Sequence, residues 1–378
     1  MCAAVFKKET AVIWVRIMKR ICIIDYDMSV RGGVEQVTTS LANALCEQYE
    51  VYVLSLCLAN GKCAYELSER VKLKILQKEG ARIRHVLKNG FRDLRKFLKK
   101  EKIDCALTMG TYAGALASVM NIGGKTKLIF CDHGALMNQW KEKNTRCMRW
   151  IASKFSKRTV TLTDRSRRDY IKRFHTNPKK ICRIYNWIDD EVVKMSGSYS
   201  TASHYILSAG RFGKEKGYDM LVEVAKKVLP KFPDWQWHLY GDGPTLPWVR
   251  DKIAEYGLEK QLILKGMVSD MYSRYKDYAV IVLPSYREGL PLVLLEGKAN
   301  HLPEVSFDVM TGPGEIIQDG KDGFLIKPYD IEEMAEKLGQ LMASEHLRQT
   351  FSENTGKKLP EFDKKRILKQ WIQLIDNL

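Results

Sequence analysis

The sequence of 378 residues contains no apolar run that approaches the length of a membrane-spanning helix. An apolar stretch at residues 11–15 is closed by Arg16, which leaves it too short for the core of a secretory signal. We expect residues 1–17 to form an extension outside the fold, because a first buried strand begins only at residue 21. The pattern predicts a cytoplasmic protein without a membrane-spanning segment.

Cysteine is missing from the second half of the chain, and the nine cysteines of the first half include no Cys-x-x-Cys pair. Most of them fall in apolar runs, which favours buried free thiols in a reducing compartment. No zinc motif is present either. The sequence therefore predicts no metal site and no cofactor.

Acidic residues are scarce in the first half. Residues 1–200 hold 38 Lys and Arg against 19 Asp and Glu, whereas the remainder holds 24 against 26. Much of this excess lies at residues 82–102 and 141–183, where one interpretation is an ordinary solvated face whose apolar stripe belongs to the core. The other, which we favour, is a surface that docks on an anionic membrane. Nucleic acid is not expected as a partner, because no RNP-type or helix-turn-helix motif accompanies the charge.

Strands and helices alternate along the whole chain. Apolar segments of strand length recur through the first half, and the pattern begins again at residue 205 after a small, polar segment that is typical of a linker. Such alternation predicts an α/β architecture with parallel sheets covered by helices on both faces. We expect two doubly wound, Rossmann-like domains at residues 18–195 and 203–360, followed by a C-terminal helix at residues 361–378.

One segment of the second half combines a strand, a loop and a helix in an informative way. An apolar strand at residues 279–283 is followed by a short loop and by Pro291, a residue favoured at the first position of a helix. A loop that enters a helix N-terminus forms an anion site, because free backbone N–H groups and the helix dipole point at the ligand. Glu288 in the loop and Glu296 in the second helical turn add carboxylates that suit the hydroxyl groups of a nucleotide sugar.

Other loops add chemistry of the same kind. Arg211 leaves the first strand of the second half, and Lys216 precedes the next helix, so the two cations could neutralise a departing diphosphate. Gly32 and Gly33 precede a helix, where backbone can approach a phosphate closely. His133 lies just beyond a strand end, where open α/β sheets bind ligands. Taken singly, each of these has a simpler interpretation as a surface charge, an ordinary turn or a loop histidine.

Together these motifs resemble the family-4 glycosyltransferases, which are retaining enzymes with the GT-B fold. The resemblance covers roughly residues 19–378 and rests on Glu-Gly-Leu-Pro-Leu-Val-Leu-Leu-Glu-Gly-Lys-Ala at residues 288–299, on Gly-Arg and Lys-Gly at residues 210–217, and on Gly-Asp-Gly-Pro at residues 241–244. It implies that the first domain binds the acceptor and the second the nucleotide sugar. It also implies that the last helix packs back on the first domain.

The resemblance assigns roles to individual residues. The catalytic set that it implies is His133, Arg211, Lys216 and Glu288. The donor-binding set that it implies contains Gly32, Gly33, Arg211, Lys216, Met267, Val268, Glu288, Gly289, Leu290 and Glu296. In this assignment Glu296 holds the ribose, Glu288 holds the donor sugar, and His133 contacts that sugar from the opposite domain.

The expected function is transfer of a sugar from a UDP-sugar to a lipid-linked saccharide, with retention of configuration, in the biosynthesis of a lipopolysaccharide, capsule or other surface polysaccharide or glycolipid. The protein is then expected on the inner face of the cell membrane as a peripheral protein. Two alternatives stay open at this point. One is a non-catalytic, basic protein that binds membrane or nucleic acid on a GT-B scaffold, and the other is a GT-B epimerase or hydrolase of nucleotide sugars.

Four residues depart from the family pattern. Asn300 and His301 replace a usual glycine after the helix, and we expect Asn300 to tolerate the left-handed conformation. Glu304 stands in a strand position that is normally apolar. Gly314 stands where many members carry a basic or polar side chain. We expect these changes to affect donor specificity rather than the fold.

Overall fold

The computed structural model describes residues 18–77 and 83–378, so the expected extension at residues 1–17 lies outside the described residues. Within them the chain forms two parallel sheets, of seven and six strands. The expected α/β class with two doubly wound, Rossmann-like sheets is confirmed.

The first sheet is built from the first half of the chain. Its strands are β1 (Arg20–Asp27), β2 (Glu50–Cys57), β3 (Lys72–Gln77), β4 (Cys105–Met109), β5 (Lys127–Asp132), β6 (Arg158–Thr161) and β7 (Ile181–Arg183). Its α-helices are α1 (Gly33–Leu45), α2 (Ile83–Lys100), α3 (Gly110–Met120), α4 (Lys143–Phe155), α5 (Asp164–Phe174) and α6 (Asp190–Met195). The strand order β3-β2-β1-β4-β5-β6-β7 places β4 at the centre of the sheet, with β1 and β5 on either side of it.

The second sheet has the order β10-β9-β8-β11-β12-β13 once its strands are numbered along the chain. They are β8 (Tyr205–Ala209), β9 (Gln236–Tyr240), β10 (Leu262–Gly266), β11 (Val280–Leu283), β12 (Glu304–Phe307) and β13 (Gly323–Ile326). The α-helices are α7 (Tyr218–Val228), α8 (Leu246–Glu255), α9 (Met271–Arg274), α10 (Leu292–Ala299), α11 (Pro313–Ile316), α12 (Ile331–Ala343), α13 (Glu345–Thr355) and α14 (Lys364–Asp376).

The sequence pattern predicts neither β3 nor α13. β3 is an edge strand whose exposed lysines, Lys72 and Lys74, interrupt the apolar run that marks a buried strand. α13 is mostly polar and buries only a few side chains, Phe351 among them, so its apolar period is weak.

The last helix lies against the first sheet although it follows the second in sequence. Trp371 and Ile375 of α14 are buried in the same apolar cluster as Ile21 of β1. The hydroxyl of Tyr49 donates to Asp376 at 2.9 Å, and Lys19 Nζ donates to the carbonyl of Ile375 at 3.1 Å. The chain therefore crosses between the two sheets twice.

The left-handed residue after α10 is His301, with φ of +59°, so the expectation for Asn300 was wrong. Asn300 keeps φ at −97°, and its side-chain amide donates to the carbonyl of Glu296 at 2.9 Å. This bond caps the helix, so the reversal falls on the next residue. His301 Nδ1 lies 3.2 Å from Thr355 Oγ1, which holds the strained residue in place.

The apolar stripe of α2 belongs to the core. Leu94, Phe97 and Leu98 are buried in one cluster with residues of β1 and β2. The five basic side chains of the same helix that the sequence singles out are exposed to solvent: Arg92, Arg95, Lys96, Lys99 and Lys100. This stripe is therefore not available to enter a membrane, and any apolar contact with lipid must come from other residues.

A buried ion cluster explains how β12 accepts Glu304. Lys298 of α10, Glu304 and Asp322 are all fully buried. Lys298 Nζ lies 2.8 Å from Asp322 Oδ2 and 3.6 Å from Glu304 Oε2. Burial raises the pKa of Glu304 to about 8, and the nearby ammonium group opposes this shift. The lysine in α10 therefore supplies the cation that the buried acid in β12 needs.

We expect Lys298→Met to destabilise the protein by roughly 3–5 kcal/mol, because it leaves two buried carboxyl groups without a cation. Chemical denaturation monitored by fluorescence measures this loss. The double variant Lys298→Met, Glu304→Val should recover part of it, because the apolar pair removes one of the orphaned acids. Equal stability of the single and double variants would contradict a coupled cluster.

Candidate active site

Two loops, one from each sheet, are in contact between the two halves of the protein. The loop after β11 carries Glu288 and Gly289, and the loop after β5 carries His133 and Asn138. Asn138 Nδ2 donates to the carbonyl of Glu288 at 2.8 Å. A Cβ added to Gly289 would overlap the carbonyl oxygen of His133, so only glycine permits this approach. The two halves of the protein therefore touch at this point.

Lys216 and Glu288 form an ion pair beside that contact. Lys216 Nζ lies 2.7 Å from Glu288 Oε1, and Ser285 Oγ donates to the same oxygen at 2.6 Å. Gly217 allows this geometry, because it has φ of +68° and a Cβ there would overlap the carbonyl of Pro284. The sequence assigned both ionic partners to the site, and the structure brings them into direct contact.

Arg211 lies apart from that pair. Its guanidinium group donates to Glu215 Oε1 at 2.5 Å and is 64% exposed. Its charge also acts on Glu35, an acid of α1 in the first half of the chain. Arg211 and Lys216 are therefore each matched by a carboxylate of the protein itself.

His133 directly follows Asp132, which belongs to a buried ionic group. Asp132 accepts a hydrogen bond from Tyr170 at 2.7 Å and pairs with Arg149 at 3.3 Å, and all three side chains are buried. Burial lowers the pKa of His133 to about 4, so its ring is neutral at neutral pH. Its Nε2 is buried without a hydrogen-bond partner in the described part of the chain. This nitrogen is therefore an unsatisfied polar atom of the loop that contacts Gly289.

The N-terminus of α1 also faces the cleft. Gly33 opens the helix, and a Cβ added to it would come within 3.5 Å of Leu292 on α10. The Glu35 side chain folds back over this end of the helix. Its Oε2 lies so close to Gly32 that a Cβ added to Gly32 would be only 2.5 Å away. Desolvation raises the pKa of Glu35 to about 7, and the charges of Asp25 and Asp27 add to the shift. The sequence analysis missed Glu35, although an acid in the first helical turn after a glycine pair could have indicated it.

Glu296 belongs to a polar network that joins the two halves of the protein. It accepts a hydrogen bond from the hydroxyl of Tyr275 at 2.5 Å and another from the Gln36 side chain. Gln36 Nε2 also donates to the hydroxyl of Tyr272 at 2.6 Å. Glu296 is therefore satisfied by uncharged groups rather than by an ion pair. Gln36, Tyr272 and Tyr275 had no assignment from sequence.

A cleft of about 1150 Å³ opens beside this network, and Val268 and Glu296 both line it. Met267 is 60% exposed and is not among its lining residues. The backbone N–H groups of Gly289 and Leu290 donate to no acceptor within the described residues. Of the donor-binding set, Glu296 and Val268 thus line the cleft, whereas Lys216, Glu288 and Gly289 lie at the loop contact.

Glu315 connects the two halves a second time. One of its carboxylate oxygens accepts from the backbone N–H of Asp164 at 2.8 Å, at the N-terminus of α5. The other accepts from the hydroxyl of Tyr185 at 2.6 Å. An acid of the second half therefore caps a helix of the first, which favours the closed arrangement.

Within residues 18–77 and 83–378, no group of three or more His, Cys, Asp and Glu side chains could hold a metal ion. Asp25 and Asp27, at the end of β1, instead accept short hydrogen bonds from Thr38 and Ser29 at 2.6 Å each. No helix in the same residues is long and apolar enough to cross a bilayer.

Two facing Rossmann-like sheets, with a cationic loop and two glutamates at their cleft, define a glycosyltransferase of the GT-B class. Sequence profiles agree along nearly the whole chain. The profile described as Glycosyl transferases group 1 matches residues 196–358, and that described as Glycosyltransferase Family 4 matches residues 31–192. The chain belongs to the family-4 glycosyltransferases and is an enzyme of that kind.

Individual relatives span most of the chain. A GalNAc-alpha-(1->4)-GalNAc-alpha-(1->3)-diNAcBac-PP-undecaprenol alpha-1,4-N-acetyl-D-galactosaminyltransferase of Campylobacter jejuni is 25% identical over 91% of this chain and 95% of its own. A UDP-Gal:alpha-D-GlcNAc-diphosphoundecaprenol alpha-1,3-galactosyltransferase of Escherichia coli is 27% identical over 65% of this chain and 68% of its own. The crystal structure of HepE from Anabaena with UDP-glucose superposes with a TM-score of 0.80 at 16% identity, over 95% of this chain and all of that one.

We expect Glu35→Gln to flatten the pH dependence of stability. Because the folded protein raises the pKa of Glu35 to about 7, from the usual 4.5, ionising this group costs stability as pH rises from about 4.5 to 7. The variant should therefore gain stability over wild type between pH 5 and pH 8, as measured by urea unfolding at both values. Glu47→Gln is the control, because Glu47 is an exposed acid just beyond the C-terminal end of α1. An identical pH slope in wild type and Glu35→Gln would refute the assignment.

Proposed function

We propose that this enzyme transfers a sugar from a UDP-sugar to a lipid-linked saccharide, with retention of configuration, in the biosynthesis of a surface polysaccharide or glycolipid. The observation that carries the proposal is the ion pair of Lys216 and Glu288 beside the contact between Gly289 and the backbone of His133, whose Nε2 has no partner in the described residues. A cation suits a diphosphate, a carboxylate suits sugar hydroxyls, and a neutral imidazole supplies one further hydrogen bond.

In this reaction the donor breaks the bond between its anomeric carbon and the diphosphate oxygen. Arg211 and Lys216 neutralise the departing diphosphate, and the free N–H groups of Gly289 and Leu290 add hydrogen bonds. The acceptor hydroxyl attacks the same face of the sugar, and its proton passes to the departing phosphate oxygen. Glu288 orients the sugar rather than forming a covalent intermediate, because one of its carboxylate oxygens is already bound by Lys216 and Ser285.

Relatives support the donor and acceptor that we propose. The two bacterial transferases described above act, by name, on undecaprenol-linked saccharides, and one of them uses UDP-Gal. A lipid-linked acceptor keeps its reacting sugar near a bilayer. We therefore propose that the enzyme works as a cytoplasmic, peripheral protein on the inner face of the membrane.

The helical layer α2–α4 is the surface that we propose for docking. Within it α3 packs against both of the other helices. Basic side chains of α2 are exposed, and α4 exposes Trp150 at 43% and Phe155 at 53%. Aromatic rings next to cations suit an anionic lipid interface, where rings enter the headgroup region and cations attract the phosphates.

We expect UDP-sugars to raise the melting temperature of wild-type protein in a panel of nucleotide sugars, because a ligand that binds only the folded state stabilises it. Lys216→Ala and Arg211→Ala should each lower turnover with the best donor and its acceptor by about 100- to 1,000-fold. Lys226→Ala, at a cation on the far side of the second sheet, is the control. Wild-type turnover in both variants would remove these residues from the reaction, and release of sugar without acceptor would indicate a hydrolase.

We expect the protein to co-sediment with phosphatidylglycerol vesicles at low salt and to dissociate at high salt, because screening weakens attraction between charges. Replacing Arg92, Arg95, Lys96, Lys99 and Lys100 by glutamine, or Trp150 and Phe155 by serine, should each abolish sedimentation. Trp248→Ser is the matched control, because Trp248 lies on the second sheet's α8 and is 42% exposed. Absence of sedimentation of the wild type at every salt concentration would contradict membrane docking.

A further inference from the structure

The first half of the protein contributes an aromatic side chain to the cleft that holds Glu296. Tyr65 lies in the loop between β2 and β3 and lines the same cleft as Glu296, Val268 and Tyr272. Its hydroxyl lies within electrostatic reach of Glu296, Glu35 and Arg31. Burial raises the pKa of Tyr65 to about 12, so the hydroxyl remains a neutral donor.

The loop that carries Tyr65 is fixed on both sides of it. The backbone N–H of Ala64 donates to the carbonyl of Met28 at 2.8 Å. On the other side, Asn43 of α1 donates to the carbonyl of Glu66 at 3.1 Å and accepts from the N–H of Ser68 at 2.8 Å. A ring held in this way loses little conformational entropy when a ligand packs on it.

The charge of the cleft decides which part of a nucleotide can lie beside Tyr65. Eight residues that line it are carboxylates and three are cationic. Such a lining repels a diphosphate but can accept hydrogen bonds from the hydroxyl and N–H groups of a nucleoside. The cations Arg211 and Lys216 do not line this cleft, so a nucleotide that spans both regions must place its nucleoside towards Tyr65.

We propose that the first half of the protein completes the nucleoside site, with the ring of Tyr65 packed on the nucleoside of the donor. This inference rests on the proposed function and deepens it. Gln36 contributes from the same side, because it bonds both Glu296 and Tyr272 and so fixes the carboxylate that faces the ribose. The nucleoside is then enclosed between the two sheets, and the cleft must open before the spent nucleotide can leave.

Calorimetric titration of the 378-residue protein with UDP tests this assignment. Tyr65→Ala should weaken UDP binding about tenfold or more, because stacking of a base on an aromatic ring is a contact of this size. Tyr65→Phe keeps the ring and should bind UDP almost as wild type does. Tyr256→Ala, at a half-buried tyrosine next to α8, is the control for loss of a tyrosine elsewhere. The melting temperature of each variant without ligand is measured in parallel.

The outcomes separate this proposal from the one on which it rests. Weaker UDP binding by Tyr65→Ala at an unchanged melting temperature, with recovery in Tyr65→Phe, supports the nucleoside contact. Unchanged UDP affinity in Tyr65→Ala overturns it, and so does an equal loss of affinity in Tyr65→Phe. If Tyr65→Ala does not fold, Tyr65→Leu, which keeps apolar bulk but no ring, gives the same comparison. A wild-type protein that binds neither UDP nor any nucleotide sugar contradicts the proposed function itself.

Discussion

The approach of Gly289 to the carbonyl of His133 is the constraint on which the rest of the site depends. It brings a loop of the second sheet into contact with a loop of the first, and Asn138 reinforces it by bonding Glu288. The ion pair of Lys216 and Glu288 lies directly beside this contact. Each loop is in turn held by its own sheet, through Ser285 on one side and the buried Asp132–Arg149 pair on the other.

Glu296 illustrates how far sequence reasoning reaches. Its place on α10 could be predicted, because a proline, an apolar helix and a preceding buried strand fix that element locally. Its partners could not be predicted. Tyr275 and Gln36 lie 21 and 260 positions away in sequence, and only the packing of two sheets brings them to the carboxylate. Tyr65 escaped for the same reason, since it carries no local motif. Glu35 did have a local signal, its place in the first helical turn after a glycine pair, and it was overlooked.

The departures from the family pattern show a second limit. Glu304 is conspicuous in sequence, but the cation that balances it, Lys298, lies on a different element, α10. The left-handed turn after α10 could be predicted to within one residue, yet a side-chain cap moved it from Asn300 to His301. The apolar stripe of α2 was visible as well, and the sheet beneath it decides that it is core rather than membrane surface.

The two cations that we assign to the diphosphate are both paired with carboxylates at rest. Arg211 pairs with Glu215, Lys216 pairs with Glu288, and the carboxylate of Glu35 covers the N-terminus of α1. A site of this kind exerts little long-range attraction, so the rate at which it captures an anion should vary weakly with ionic strength. It also discriminates against small free anions such as inorganic phosphate. A phosphate alone must break these internal pairs, whereas a whole nucleotide sugar gains further contacts along the cleft as it does so.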